Sequence, residues 1–377
     1  MLFLWSCKSC KDPVTEVPDP RVFYAWNDFA MGADLSYVNA IEDYSGIYRD
    51  SNRAMDPYGL FRRRGCNLVR VRLWNNPQWH AALHNGRIYN DLTDVTETIR
   101  RAKQAGMAVL LDLHYSDTWA DPAHQETPAA WAGLPLNVLK DSVYQYTART
   151  LQYLHSQQLT PEMIQIGNET NGGMMFPVGR IQNGNNATAF AALLNSGIKA
   201  VRDFSATSDI KPRIVLHVAQ YVNAQAFIET ITQNGVSDFD ILGISHYENW
   251  SEGYSLAQVE SLTRTIRQQY QKDVMVVETA CPWTSNNADD YPNIISGTTP
   301  FGGFAVSATG QLEYMKALTQ AVMKGGGKGV IYWEPAWITS SMPDRWGVGS
   351  SWENNAFFDF NGNTLPVVGY MTFSYQR

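Results

Sequence analysis

The chain is poor in the residues that mark several common protein classes. It has only four cysteines in 377 residues. Cys7 and Cys10 stand near the start, and Cys66 and Cys281 are far apart and without metal-site spacing. That excludes a disulfide scaffold and gives no zinc motif, so Cys66 and Cys281 read as buried free thiols. Charged residues make up only 17% of the chain, with a net charge of -7, and basic character is not in excess. Nothing here presents the cationic footprint that a phosphate backbone requires, which argues against a nucleic-acid partner. No apolar run approaches the ~18 residues of a membrane span. No glycine fingerprint follows an early strand, which disfavours a doubly wound dinucleotide fold. No His-x-His occurs either, and the histidines are too dispersed to supply an evident ligand set. A metallohydrolase built on Asp112, His114 and Asp117 is therefore the weaker reading, and no metal or other cofactor is expected.

What the chain does have is aromatic surface: 12 Trp, 19 Tyr and 15 Phe. Each buried indole needs a partner for its N–H, so a load of this kind against so little charge points to a wet, aromatic groove. The start, Met1-Leu2-Phe3-Leu4-Trp5-Ser6-Cys7, reads as the tail of a secretory apolar segment running into a lipobox-like Leu-x-Ser-Cys, which would put a lipid on Cys7. Residues 8–20, with Pro13, Pro18 and Pro20 among charges, read as a tether. The expected organisation is a tail over 1–20 and one catalytic domain over 21–377. The expected location is extracellular or at the cell surface, as an outer-membrane lipoprotein whose only tie to the membrane is that lipid.

Eight short apolar runs recur with room for a crossover helix between them: 28–31, 68–73, 108–113, 163–166, 214–218, 241–245, 274–278 and 329–333. Helices are legible over 95–105, closing at Gly106, and over 138–157. Gly325-Gly326-Gly327 precedes the eighth run and reads as a turn, on the wrong side for ligand binding. Eight such units with no change of composition predict a single α/β domain, a closed (β/α)8 TIM barrel with enlarged βα loops.

In such a barrel the strand C-termini carry the chemistry. The second run places Arg70, Arg72 and Trp74 on one face by its period of two, and two inward arginines demand carboxylate partners. Glu169 and Glu278 each end an otherwise apolar run, on the fourth and seventh strands, facing one another across the mouth. Two carboxylates beside an aromatic cleft are what glycosidic cleavage needs, one protonated to serve the leaving oxygen and one ionised to attack the anomeric carbon. One of them pairing with Arg70 or Arg72 for structural reasons is the plainer alternative. His114 and His246 would order carboxylates or bond sugar hydroxyls. His217, inside the fifth strand, fits a core histidine as well as a ligand.

The stretches 65–77 (GCNLVRVRLWNNP), 111–131 (LDLHYSDTWADPAHQETPAAW), 164–170 (IQIGNET), 239–247 (FDILGISHY), 274–283 (VMVVETACPW) and 330–337 (VIYWEPAW) resemble glycoside hydrolase family 53. The resemblance touches nearly every strand and extends over roughly residues 25–375, and HYSDTWADP is its most specific part. It implies a retaining endo-β-1,4-galactanase acting on the galactan of type I arabinogalactan. By position it implies that Glu169 is the acid/base and Glu278 the nucleophile. Asn168 would hold the sugar 2-hydroxyl, Arg70 would keep Glu278 ionised, and Trp333 would floor the subsite beside the cleaved bond. Asp117, Trp119, Tyr247 and Trp283 complete the expected substrate-binding set. The partner is thus a polysaccharide, and a monomer is expected.

The chain departs from the family pattern after the sixth strand (Ser245-His246-Tyr247-Glu248-Asn249-Trp250) and after the fifth (218–223), which alters outer subsites. The structural calcium of some members is disfavoured, because Asp344, Glu353 and Asn354 form no dense oxygen pattern. The competing functions are a glycan-binding protein without catalysis and a related retaining β-glycanase for another plant polysaccharide.

Overall fold

The structure, a computed structural model, describes residues 21–181, 187–251 and 253–377. The anticipated tail and its Cys7 lie outside them. Eight parallel strands close on themselves: β1 Ala30–Asp34, β2 Leu68–Leu73, β3 Ala108–Leu113, β4 Met163–Ile166, β5 Arg213–Ala219, β6 Ile241–Ser245, β7 Asp273–Glu278 and β8 Gly329–Tyr332. Each pairs with its sequence neighbours, and β8 closes the ring on β1, Ala30 opposite Gly329. The (β/α)8 expectation holds. Seven of the eight strands fall where the hydrophobic runs put them, within a residue at either end. The first was expected over 28–31 and instead runs to Asp34, so its functional end was missed.

The barrel interior is layered along the strand period. Leu68, Leu110, Met163, Val215, Ile241, Met275, Val277 and Ile331 fill its lower part as a separate apolar cluster. Two residues further along several of the same strands stand Arg70, Asp112, Gln165 and His217, all buried. The other face of each strand packs Val69, Val71, Val109, Leu111, Ile164 and Val274 against the helices. Gly243 belongs to the interior because a Cβ there would stand 2.9–3.0 Å from Val215 and Val277.

The helices that cover the ring start and stop on local signals. Leu92–Gln104 begins where the Asp91 carboxylate accepts the Asp94 N–H. Leu256–Tyr270 starts on a Ser255/Gln258 capping box. Leu136–Ser156 opens two residues before the expected boundary. Ala308–Lys324 ends at Gly325, and Gly326, at φ +78°, makes the turn into β8 that the glycine run suggested. After β8 the last crossover is a 3-10 turn, Pro366–Thr372. Cys66 and Cys281 are buried free thiols. Among the described residues no helix is long and apolar enough to cross a membrane.

Candidate active site

The long βα loops wall a groove of about 880 Å³ over the C-terminal mouth, with Glu169, Glu278, Asn168, Arg70, Arg72, His114, Tyr247 and Trp333 all in its lining. Backbone geometry aims the two glutamates. Beyond β4, Gly167 at φ +81° and Glu169 at φ +46° turn the chain so that the Glu169 side chain enters the mouth. On β7 the register against β6 shifts between Ile244 and Ser245, pairing Ser245 with Glu278. The extra residue lets Glu278 face the mouth directly after Val277, which points into the barrel.

The neighbours of the two carboxyls differ in sign. Glu278 Oε1 lies 2.9 Å from Arg70 Nη2, and the Tyr247 hydroxyl donates to Oε2 at 3.0 Å. Burial raises the Glu278 pKa, and the Arg70 cation and the Tyr247 donor oppose it. Burial also raises Glu169, and there the charge of Glu278 pushes the same way. The Arg70 cation stands beside Glu278 and only weakly relieves Glu169, so Glu278 gives up its proton first while Glu169 keeps its own. Tyr247, itself buried and raised well above its ordinary value, stays a donor.

Arg70 is the hub of this layer. It pairs with Asp34 and Asp112 at 2.8 Å each and donates to Asn168 Oδ1 at 2.7 Å. Asn168 is fixed on its other side by Nδ2 to the Ala120 carbonyl, 2.8 Å. His114 Nδ1 accepts the Trp74 indole N–H and the Ala120 N–H, both at 3.2 Å, so Nε2 carries the proton and donates to Asp112 Oδ2 at 3.0 Å. Arg72 pairs with Glu334 at 2.5 Å and is sandwiched between the Tyr37 and Trp119 rings at 4.2 Å each. Glu334 was expected among the carboxylates at the strand ends without a stated role, and Asp34 was not anticipated. The demand of two inward arginines for carboxylates was the signal that pointed to them.

Four expected site residues lie elsewhere. Trp74 is fully buried beneath the groove. Asp117 accepts the Asn76 and Ala129 N–H groups at 3.0 and 2.8 Å and so splices two loops together instead of lining the groove. His246 is turned away because Ser245 and Tyr247 take the inward positions on either side of it, and it packs against Tyr221. Trp283 donates to the Glu353 carbonyl and packs on Phe360 beneath the loop after β8. Trp119 and Trp333 line the groove as expected, with Trp250, Trp337, Trp346 and Trp352 beside them. Asp344, Glu353 and Asn354 do not converge on a cation: Glu353 Oε1 accepts from Ala288 and Asn293, and Asn354 Nδ2 donates to the Ile295 carbonyl. Among the described residues no group of three or more His, Cys, Asp or Glu side chains is arranged to hold a metal.

A closed (β/α)8 barrel with two glutamates in unlike surroundings at the ends of β4 and β7, in an aromatic groove, is the construction of a barrel glycosidase. The profile described as Glycosyl hydrolase family 53 matches residues 30–371, and the chain belongs to that family. It is 45% identical over 366 residues to the arabinogalactan endo-beta-1,4-galactanase of Cellvibrio japonicus (strain Ueda107), covering 96% of this chain and 94% of that one. It is 34% identical over 380 residues to the endo-beta-1,4-galactanase of Bacillus subtilis (strain 168), covering 90% and 85%. The solved catalytic domain of this family from Ignisphaera aggregans superposes with a TM-score of 0.84 at 35% identity, covering 95% of this chain and all of that one. A fungal beta-1,4-galactanase structure gives 0.76 at 30% identity, covering 91% and 98%. The chain is accordingly a glycoside hydrolase.

Proposed function

We propose that this enzyme hydrolyses internal β-1,4-galactosidic bonds of galactan and type I arabinogalactan with net retention of configuration. The observation that carries the chemistry is the opposed setting of the two glutamates. Glu278, held by Arg70 and Tyr247, is ionised and attacks the anomeric carbon. Glu169, which keeps its proton, gives it to the departing glycosidic oxygen and then takes one from the water that releases the covalent intermediate. Asn168, locked by Arg70 and the Ala120 carbonyl, presents its amide to the sugar 2-hydroxyl. Trp333 gives the sugar ring beside the cleaved bond an aromatic face. The galactanase names of the relatives support the choice of sugar. The tryptophan faces of the groove suit the apolar faces of the sugar rings of a neutral polymer.

A panel of galactan, β-glucan, xylan and mannan tests the substrate, with reducing-sugar release on galactan alone expected. Glu278→Gln should abolish turnover while galactan binding persists, and retained turnover would remove the nucleophile assignment. The Leu4-Trp5-Ser6-Cys7 motif supports an enzyme lipid-anchored at the cell surface. Loss of membrane fractionation in Cys7→Ser is the matching test, and an unchanged distribution would remove the anchor.

A further inference from the structure

His217 is not itself part of the groove lining, yet it holds Glu169 at two points. Its Nδ1 lies 3.2 Å from the backbone N–H nitrogen of Glu169, and its Nε2 lies 2.9 Å from Ser245 Oγ. Ser245 Oγ in turn is 2.5 Å from Glu169 Oε1. The direction of these bonds follows from groups that have no freedom to turn. The Glu169 N–H can only donate. The Gln165 amide nitrogen, 3.1 Å from Nδ1, has only two hydrogens, and Asp112 Oδ1 at 2.6 Å and the Gly167 carbonyl at 3.0 Å take them. The acceptor near Nδ1, Asn168 Oδ1 at 2.9 Å, already receives the Arg70 guanidinium at 2.7 Å on one of its two lone pairs. The Glu169 N–H, which can only donate, therefore makes Nδ1 the lone pair, and Nε2 carries the hydrogen. That hydrogen goes to Ser245 Oγ, whose own hydrogen is left for Glu169 Oε1. Burial, with the positive charge of Arg70 second to it, keeps the His217 ring neutral and so preserves this order.

We propose that His217 and Ser245 form an orienting clamp on the acid/base, occupying Glu169 Oε1 so that the catalytic proton resides on Oε2, the oxygen left free to serve the leaving group. The inference rests on the assignment of Glu169 as proton donor. No proton travels along the clamp. The proton lost from Oε2 goes to the glycosidic oxygen, and the one regained comes from the attacking water. Without the Ser245 donor, Oε1 competes for the proton and directs it into the barrel, where it is useless. The conformation at φ +46° fits this reading, since it is the turn that lets one imidazole meet both the backbone N–H and, through the serine, the carboxyl of the same residue. The other charged or titratable groups acting on Glu169 are Glu278 from β7, Tyr247 after β6, Asp121 from the loop after β3 and Arg70 from β2. None of them donates to Oε1.

The test compares two substrates and a pH profile. Ser245→Ala should lower kcat/KM on galactan about tenfold, while kcat/KM on a dinitrophenyl β-galactotrioside, whose leaving group needs no proton, changes less than twofold. The basic limb of kcat/KM on galactan should move upward by about one pH unit, because a hydrogen bond to the ionised carboxylate has been removed. His217→Gln, which keeps a polar group of similar reach but cannot serve both ends, should show the same selectivity. A purely structural role would depress both substrates alike and leave the limb in place, and that outcome would overturn the clamp. If His217→Gln fails to fold, Ser245→Ala alone decides. Glu169→Gln keeps the two failures apart. Full galactan turnover in that variant would remove the acid/base assignment itself, whereas an inactive Glu169→Gln beside an unmoved Ser245→Ala removes only the clamp.

Discussion

Arg70 meets Glu278 at 2.9 Å while pairing with Asp34 and Asp112 at 2.8 Å each, so one guanidinium serves three carboxylates in a layer closed to water. Its fork holds them at fixed angles, which a lysine ammonium cannot reproduce. Arg70→Lys should therefore lower kcat on galactan by about 10²-fold or more, a loss on the scale of removing a preorganised electrostatic group. The sign of the pH effect follows from the cause. Arg70 opposes the upward push of burial on Glu278, so weakening it raises that pKa and moves the acid limb of the profile upward. An acid limb that stays in place would disconnect Arg70 from the nucleophile's charge.

Arg72 and Glu334 form the second buried pair, and it is less well satisfied. Among the described residues Glu334 Oε2 and the Arg72 Nε and Nη2 groups have no hydrogen-bond partner. Removing only the cation leaves a carboxyl without compensation, a change costing about 3–5 kcal/mol. Burial already raises Glu334 and Arg72 counters it. In Arg72→Met the folded-state pKa rises further above the unfolded value, so the folded form binds the extra proton and the destabilisation grows as pH increases above about 4.5. Arg72→Met with Glu334→Gln should recover much of the loss. Thermal unfolding of the three variants across pH checks both statements, and a double variant no better than the single one contradicts them.

The barrel was readable because each strand is a short apolar-rich run, and the two glutamates because one ends such a run and the other stands just beyond one. Three things were not readable. The first strand, AMGAD, is rich in small residues and carries little β-propensity, so Asp34 escaped notice. Glu278 enters the mouth only through a one-residue register shift on β7, and a period of two would send the residue after Val277 toward the helices. The tryptophans were the least legible, since proximity to a strand end does not say which way a loop folds. Trp119 and Trp333 line the groove, whereas Trp74 and Trp283 lie under it. Trp346, far along the loop after β8, reaches the rim.

That difference separates two tryptophans experimentally. Trp346 is 62% exposed at the groove rim. Trp346→Ala should raise KM for long galactan several-fold with kcat and Tm little changed, because it removes a stacking face and no packing. Trp283 is packed on Phe360 and bonded to the Glu353 carbonyl. Trp283 is half-buried, so Trp283→Ala should cost about 1–3 kcal/mol, less than a fully buried indole, and lower Tm while leaving KM near its original value. Reversed outcomes would exchange the roles assigned to the two rings.

Glu353 provides a stability test away from the chemistry. It is buried, its Oε1 accepts from the Ala288 N–H at 3.1 Å and from Asn293 Nδ2 at 3.0 Å, and its Oε2 has no partner among the described residues. Burial pushes its pKa up to about 7. Below about 4.5 the carboxyl is protonated both folded and unfolded and contributes nothing to the slope. Between about 4.5 and 7 the folded protein holds the proton that the unfolded chain releases, so stability falls as pH rises; above 7 the penalty is complete. At 1.36 kcal/mol per unit this amounts to about 3 kcal/mol. Glu353→Gln keeps the accepting oxygen and removes the ionisation, so its stability should be flatter than wild type across that window and higher by a few degrees in Tm at pH 8. Parallel curves for the two proteins from pH 4.5 to 8 would mean that the Glu353 carboxylate is solvated as readily in the folded protein as in the unfolded chain.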